Sequence, residues 1–240
     1  MVPQAQVNQN GPAVFFPMRF RLRKDGLLQY ISHLDFVRTM TKALVRSKLP
    51  LWFTQGFNPI PKITFAAPLS VGMESDCELM DVRLCEPTSP DVALKALRAV
   101  MPDAHLEVLD AYIPENKLSS IGYLAYDLCI AYDGISSAHA EEAERYLSSP
   151  SIVIEKTGKS GKPREVDLKP MIASATLKWD EEKEEIVGRW VLSASPDAFL
   201  NPDLLLGALR THTPLMQCEG DVWYSLRRVE IYAPDLTVFR

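Results

Sequence analysis

The sequence predicts an α+β chain made of two tandem ferredoxin-like halves, each a β-α-β-β-α-β unit with an antiparallel sheet, the second half carrying an inserted hairpin arm. Three observations predict it. Segments alternating apolar and polar residues, as half-buried strands do, are interleaved with segments of helical apolar spacing. The order strand, helix, strand runs twice in the first half and returns in the second. With 240 residues, 47% hydrophobic and 24% charged, the chain has apolar content for two cores of domain size.

The first half spans residues 18–114. Residues 18–24 alternate as a strand. Residues 32–48 have helical spacing, with Ser32 as N-cap, Asp35 three residues on as in a capping box, and Val37, Met40 and Leu44 on the core face. Residues 51–54 read as a short strand followed by a long loop to Ser75. A strand at 77–84, a helix at 91–100 and a strand at 106–113 complete the half. Residues 114–121 form the boundary. In the second half, 121–240, strands are expected at 123–132, 152–156, 186–194 and 222–232, and helices at 141–147 and 202–210. Residues 164–179 supply the inserted arm or an extra strand.

Residues 1–17 carry no charged side chain and include Gln, Asn, Gly and Pro, as a disordered tail does. They lack the basic start of a secretory signal, and no apolar run is long enough to span a bilayer, so a cytoplasmic protein is expected. Cys77, Cys85, Cys129 and Cys218 are too scattered for a metal or cluster motif, so four reduced thiols and no cofactor are expected. The stretch GKSGK at 158–162 imitates a phosphate loop. Val153 stands where the first glycine belongs and Pro163 follows instead of a helix, so it reads as a basic hairpin turn.

Charge is unevenly distributed. Residues 1–62 hold nine cations and two carboxylates, whereas the whole chain has net charge −5. Such asymmetry marks an anionic partner or signs that cancel within one fold. Arg19, Arg21 and Arg23 alternate with Met18, Phe20 and Leu22, so a strand places all three on one face, the open face of the expected sheet. There they either meet RNA phosphates or pair across to the next strand, whose Glu78, Asp81 and Arg83 could neutralise part of the stripe. Arg38, Lys42 and Arg46 recur every four residues as a helical ridge, a second phosphate-binding surface or a solvated face.

His33 falls in the first helical turn. It is a candidate general acid/base or phosphate donor, or else a packing residue between helix and loop. In the loop QGFNPIPK, prolines 59 and 61 fix their own φ and hold Asn58 and Ile60 extended. Gln55, Phe57 and Asn58 are then candidates for a preset recognition surface, with Lys62 as an anion contact. The alternative is a rigid connector whose Phe57 plugs the core.

The stretches YISHLD (30–35), QGFNPIPK (55–62) and VGMES (71–75) resemble a bacterial family of radical SAM-linked proteins, a domain of unknown function fused to or encoded beside a radical SAM protein. DLKPMI (167–172) and SLRRVEIY (225–232) extend the resemblance along the chain. Ile60 stands where that family commonly has histidine, which speaks against a two-histidine centre. The resemblance implies a radical SAM protein as partner. This chain lacks the closely spaced cysteines of such a cluster, so the radical chemistry belongs to the partner.

The expected function is therefore an accessory protein of a radical SAM enzyme, without catalysis of its own, that binds or presents an RNA or ribosome-related substrate. Arg19, Arg21, Arg23, Arg38, Lys42 and Lys62 would contact phosphate, while His33, Gln55, Phe57 and Asn58 recognise something specific. One alternative is a metal-independent endoribonuclease using His33. Another is a pure protein–protein adaptor.

Overall fold

A computed structural model describes residues 14–101, 105–157 and 163–240. Most of the expected tail and the basic turn at 158–162 lie outside the described residues. The chain is a mixed α+β protein with mostly antiparallel sheet and, among the described residues, four α-helices. It divides into two compact units, Met1–Leu118 with Arg240, and Ser119–Phe239. No helix among the described residues is long and apolar enough to cross a membrane.

The first unit contains β1 (Phe16–Lys24), α1 (His33–Arg46), β2 (Ile63–Phe65), β3 (Met73–Leu84), α2 (Pro90–Arg98) and β4 (Leu106–Tyr112). Its sheet runs β2-β3-β1-β4, every neighbouring pair antiparallel. Alternation in β1 sends Met18, Phe20 and Leu22 into a core with Met40 and Leu44 of α1 and Met80 and Val82 of β3. Helix α1 starts at Ser32, whose Oγ accepts from the Asp35 amide at 3.2 Å and donates to the Asp35 carboxylate at 2.8 Å. Arg98 of α2 reaches across to β4 and donates to the Val108 carbonyl at 2.7 Å and the Leu109 carbonyl at 2.9 Å.

The first unit corrects three expectations. Phe16 and Pro17, assigned to the tail, already pair with Leu84 and Arg83 in β1. The segment 51–54 is not a strand but makes single bridges, Leu51 with Leu84 and Phe53 with Pro61. The second strand is β2, inside the expected loop, and β3 starts four residues before Cys77. Three residues of alternation are too few to stand out from a loop.

The second unit contains β5 (Tyr123–Ala131), α3 (Ser137–Leu147), β6 (Val153–Thr157), β7 (Pro163–Asp167), β8 (Ile172–Asp180), β9 (Glu185–Ser195), β10 (Ala198–Phe199), α4 (Pro202–His212) and β11 (Trp223–Tyr232). Its sheet runs β8-β9-β5-β11, again antiparallel, with β10 on the end of β9. Leu124, Tyr126, Leu128, Trp190, Leu192 and Leu205 are buried in its core.

Here the second sheet strand was misassigned. Strand β6 pairs with β7 as a separate two-stranded ribbon, and β8 takes the place beside β9. Alternation marks a strand but not its partner, so β6 and β8 look alike in sequence. Ile152 and Leu168 anchor the ribbon's base, both fully buried, and Asp167 Oδ1 accepts from the amides of Ile152 at 2.8 Å and Lys169 at 3.0 Å. Helix α3 starts four residues earlier than expected because Ser136 and His139 form a capping box in which histidine replaces the usual Glu or Gln. With the ribbon and the two-residue β10 set aside and strands numbered in chain order, both sheets read 2-3-1-4.

Candidate functional site

The loop after α1 forms a short hairpin. Trp52 donates its amide to the Arg83 carbonyl at 2.8 Å, Lys62 to the Trp52 carbonyl at 3.0 Å, and Thr54 to the Ile60 carbonyl at 2.9 Å. The Thr54 hydroxyl accepts in turn from the Ile60 amide at 3.1 Å. Pro61, buried, sits at the stem opposite Phe53. Between these supports residues 55–60 are all exposed. Gly56 takes φ +140°, a turn that a Cβ would strain.

Phe57 lies at this tip with a relative exposure of 106%, so among the described residues it packs against nothing and does not plug the core. The same holds for the other motif stretches. Tyr30 is 62% exposed, Leu34 65%, Ile60 59% and Val71 59%. Around Tyr30 the backbone is fixed: the Gly72 amide donates to the Gln29 carbonyl at 2.9 Å and the Gly26 amide to Glu74 Oε1 at 2.9 Å. These are large apolar groups exposed to water on backbone held by hydrogen bonds.

The expected cationic stripe is largely internal. Arg19 is fully buried and grips Asp81 bidentately, while its Nη2 also donates to the Asn116 carbonyl at 2.8 Å. Arg21 is half-buried, with its Nε 3.4 Å from the Asp76 carbonyl. Arg23 pairs with Glu107 at 2.7 Å and Asp25 at 3.3 Å. On α1, Arg38 is exposed and paired with Asp35 at 2.9 Å, and Lys42 is exposed. His33 is half-buried at the start of α1, its ring edge-on to Phe65 at 5.7 Å. Gln55, Phe57, Asn58 and Lys62 stay together on the hairpin, all exposed.

Sequence reasoning places Arg83 beside the arginine stripe but not among the candidate site residues. On β3 it follows Asp81 by two residues and so shares its helix-free face. Its guanidinium lies 4.0 Å from the Phe15 ring centroid and 5.8 Å from that of Trp52. The β2–β3 register, Ile63 to Val82, extends to set Lys62 opposite Arg83, and the Arg83 amide donates to the Lys62 carbonyl at 3.2 Å. The alternation of β3 already put Arg83 on that face. Phe15 was hidden because it had been assigned to the tail.

Burial, and then a hydrogen bond from its Sγ to Glu185 at 2.9 Å, pushes the Cys129 thiol up to about 12, so it stays protonated and unreactive near neutral pH. Among the described residues no three His, Cys, Asp or Glu side chains converge as a metal site would require.

Among curated proteins none matches this chain. Among solved structures, it is similar to a chain of the "Crystal Structure of a Cbf5-Nop10-Gar1 Complex", with TM-score 0.48 and 11% identity over 95% of this chain. It spans only 56% of that solved chain. The family model "Uncharacterized protein conserved in bacteria (DUF2344)" matches residues 18–202, and the chain belongs to that family.

Proposed function

We propose that this chain is a cytoplasmic accessory protein without catalysis of its own, docking a radical SAM protein through its first unit and presenting an RNA substrate to it. The observation that carries the docking is the exposure of Tyr30, Leu34, Phe57, Ile60 and Val71. These residues come from the three stretches that resemble radical SAM-linked proteins, and none of them is committed to the core. Exposed aromatic anchors on rigid backbone are the usual centres of binding energy. The adaptor reading becomes the docking half of this function, and the RNA half rests on cations outside the buried stripe. Both units are read as ferredoxin-like; the element order and the repeated strand order 2-3-1-4 support this.

The test is affinity purification from the native host, with and without nuclease, identifying bound proteins by mass spectrometry. A radical SAM protein is expected with the wild type under both conditions and is expected to be lost from the Phe57→Ala, Leu34→Ala double variant. Equal recovery by wild type and variant removes this surface from the docking. Absence of any radical SAM protein from the wild type overturns the partner.

A further inference from the structure

We infer that Arg83 and Lys62, with the rings of Phe15 and Trp52, form a single-stranded RNA contact site at the foot of the Phe57 hairpin. The inference rests on the RNA half of the proposed function and gives it a location that the arginine stripe does not supply.

Four observations converge. Lys62 and Arg83 lie opposite each other across neighbouring strands, two like charges whose repulsion an anion would relieve. Among the described residues neither pairs with a carboxylate, whereas the next acid on the same face, Asp81, is held by Arg19. Arg83 lies on the Phe15 ring, an arrangement that occupies the face of the guanidinium and leaves its in-plane N–H groups for a planar or tetrahedral oxyanion. Those N–H groups have no protein acceptor among the described residues. Finally, Lys62 belongs to the stem that holds Gln55, Phe57 and Asn58 in water, and the Arg83 carbonyl accepts the Trp52 amide at its foot.

The chemistry fits a single strand of nucleic acid. Such proteins hold the backbone with cations and stack the bases on aromatic faces. Arg83 and Lys62 supply the first, and the rings of Phe15 and Trp52 beside Arg83 supply the second. The amides of Gln55 and Asn58 can donate to and accept from base edges. An acidic peptide would use the cations but leave the aromatic rings beside Arg83 and the two amides without a role.

The experiment is fluorescence anisotropy of a fluorescein-labelled single-stranded uridine homopolymer titrated with the full chain at several salt concentrations. Arg83→Gln is expected to weaken binding about tenfold. Arg83→Lys, which keeps the charge but not the planar stack, should restore only part of it. The slope of log affinity against log salt should become shallower by about 0.7 for each cation removed, including in Lys62→Gln, where the exposed side chain leaves folding untouched. Thermal melts confirm that each variant is folded. Wild-type RNA binding with unchanged affinity and slope in Arg83→Gln overturns this site and leaves the RNA reading standing. Failure of the wild type to bind RNA, while it still captures a radical SAM protein, overturns the site and the RNA reading together and spares the docking. Competition by polyglutamate as strong as by unlabelled RNA overturns the site in favour of an acidic protein.

Discussion

Arg19 on β1 and Asp81 on β3 face each other as a bidentate pair, Nε to Oδ1 at 2.6 Å and Nη2 to Oδ2 at 2.8 Å, with the arginine side chain wholly out of water. Removing one partner strands a buried charge. Asp81→Ala is therefore expected to cost about 3–5 kcal/mol in urea unfolding, whereas replacing both residues with apolar ones of similar size should cost far less. A small loss in the single variant would show that water reaches the guanidinium.

The start of α1 gives a pH prediction. The hydroxyl of Ser32, and then the guanidinium of Arg38, hold the Asp35 carboxyl below its ordinary value. A carboxyl depressed in the folded state contributes stability above its unfolded pKa and loses it as pH falls through the folded one. NMR titration should put the Asp35 midpoint below about 3.9 in the wild type and closer to that value in Ser32→Ala. No movement in the variant would assign the shift to Arg38 alone.

Cys129 should resist alkylation in the native protein at pH 8 and react fully once unfolded, because its thiol is pushed up to about 12. The stability contribution has the opposite sign to that of Asp35. The unfolded thiol loses its proton from about pH 8.5 upward while the folded one keeps it, so stability should fall between there and about pH 12. Mass spectrometry of iodoacetamide adducts checks the first part. Rapid native labelling would refute it.

The ribbon of β6 and β7 depends on its base. The Asp167 carboxyl is held below its ordinary value by amide hydrogen bonds from Ile152 and Lys169. A two-stranded ribbon is marginal in water without such an anchor. Asp167→Ala is expected to speed amide exchange across residues 153–157 and 163–167 while leaving exchange in β5 and β9 unchanged. Uniform acceleration everywhere would mean that the ribbon and main sheet unfold together.

Elements with long, regular patterns could be read before any coordinates: β1, α1, β5 and β11 fall where alternation or helical spacing put them. Ser32 was legible as a cap because its chemistry is local. Pairing was not. Strand β2 is too short to show a period, and nothing in the alternation of residues 153–157 says that they bond to β7 rather than β9. At the site, the hairpin's prolines and glycine announced a stiff loop, but the fate of each cation depended on what lay across the sheet. Asp81 sits opposite Arg19, whereas Lys62 sits opposite Arg83. Alternation allows the first relation as one of two outcomes, whereas sequence order does not show the second.

Arg98 has a consequence for the molecule's life among copies of itself. A strand on the rim of a sheet is a template on which another chain can add, and fibres grow from such rims. By donating to the Val108 and Leu109 carbonyls, Arg98 occupies two acceptors that an incoming strand would need. With both carbonyls already engaged, this stretch of rim is a poorer template for adhesion between copies of the chain.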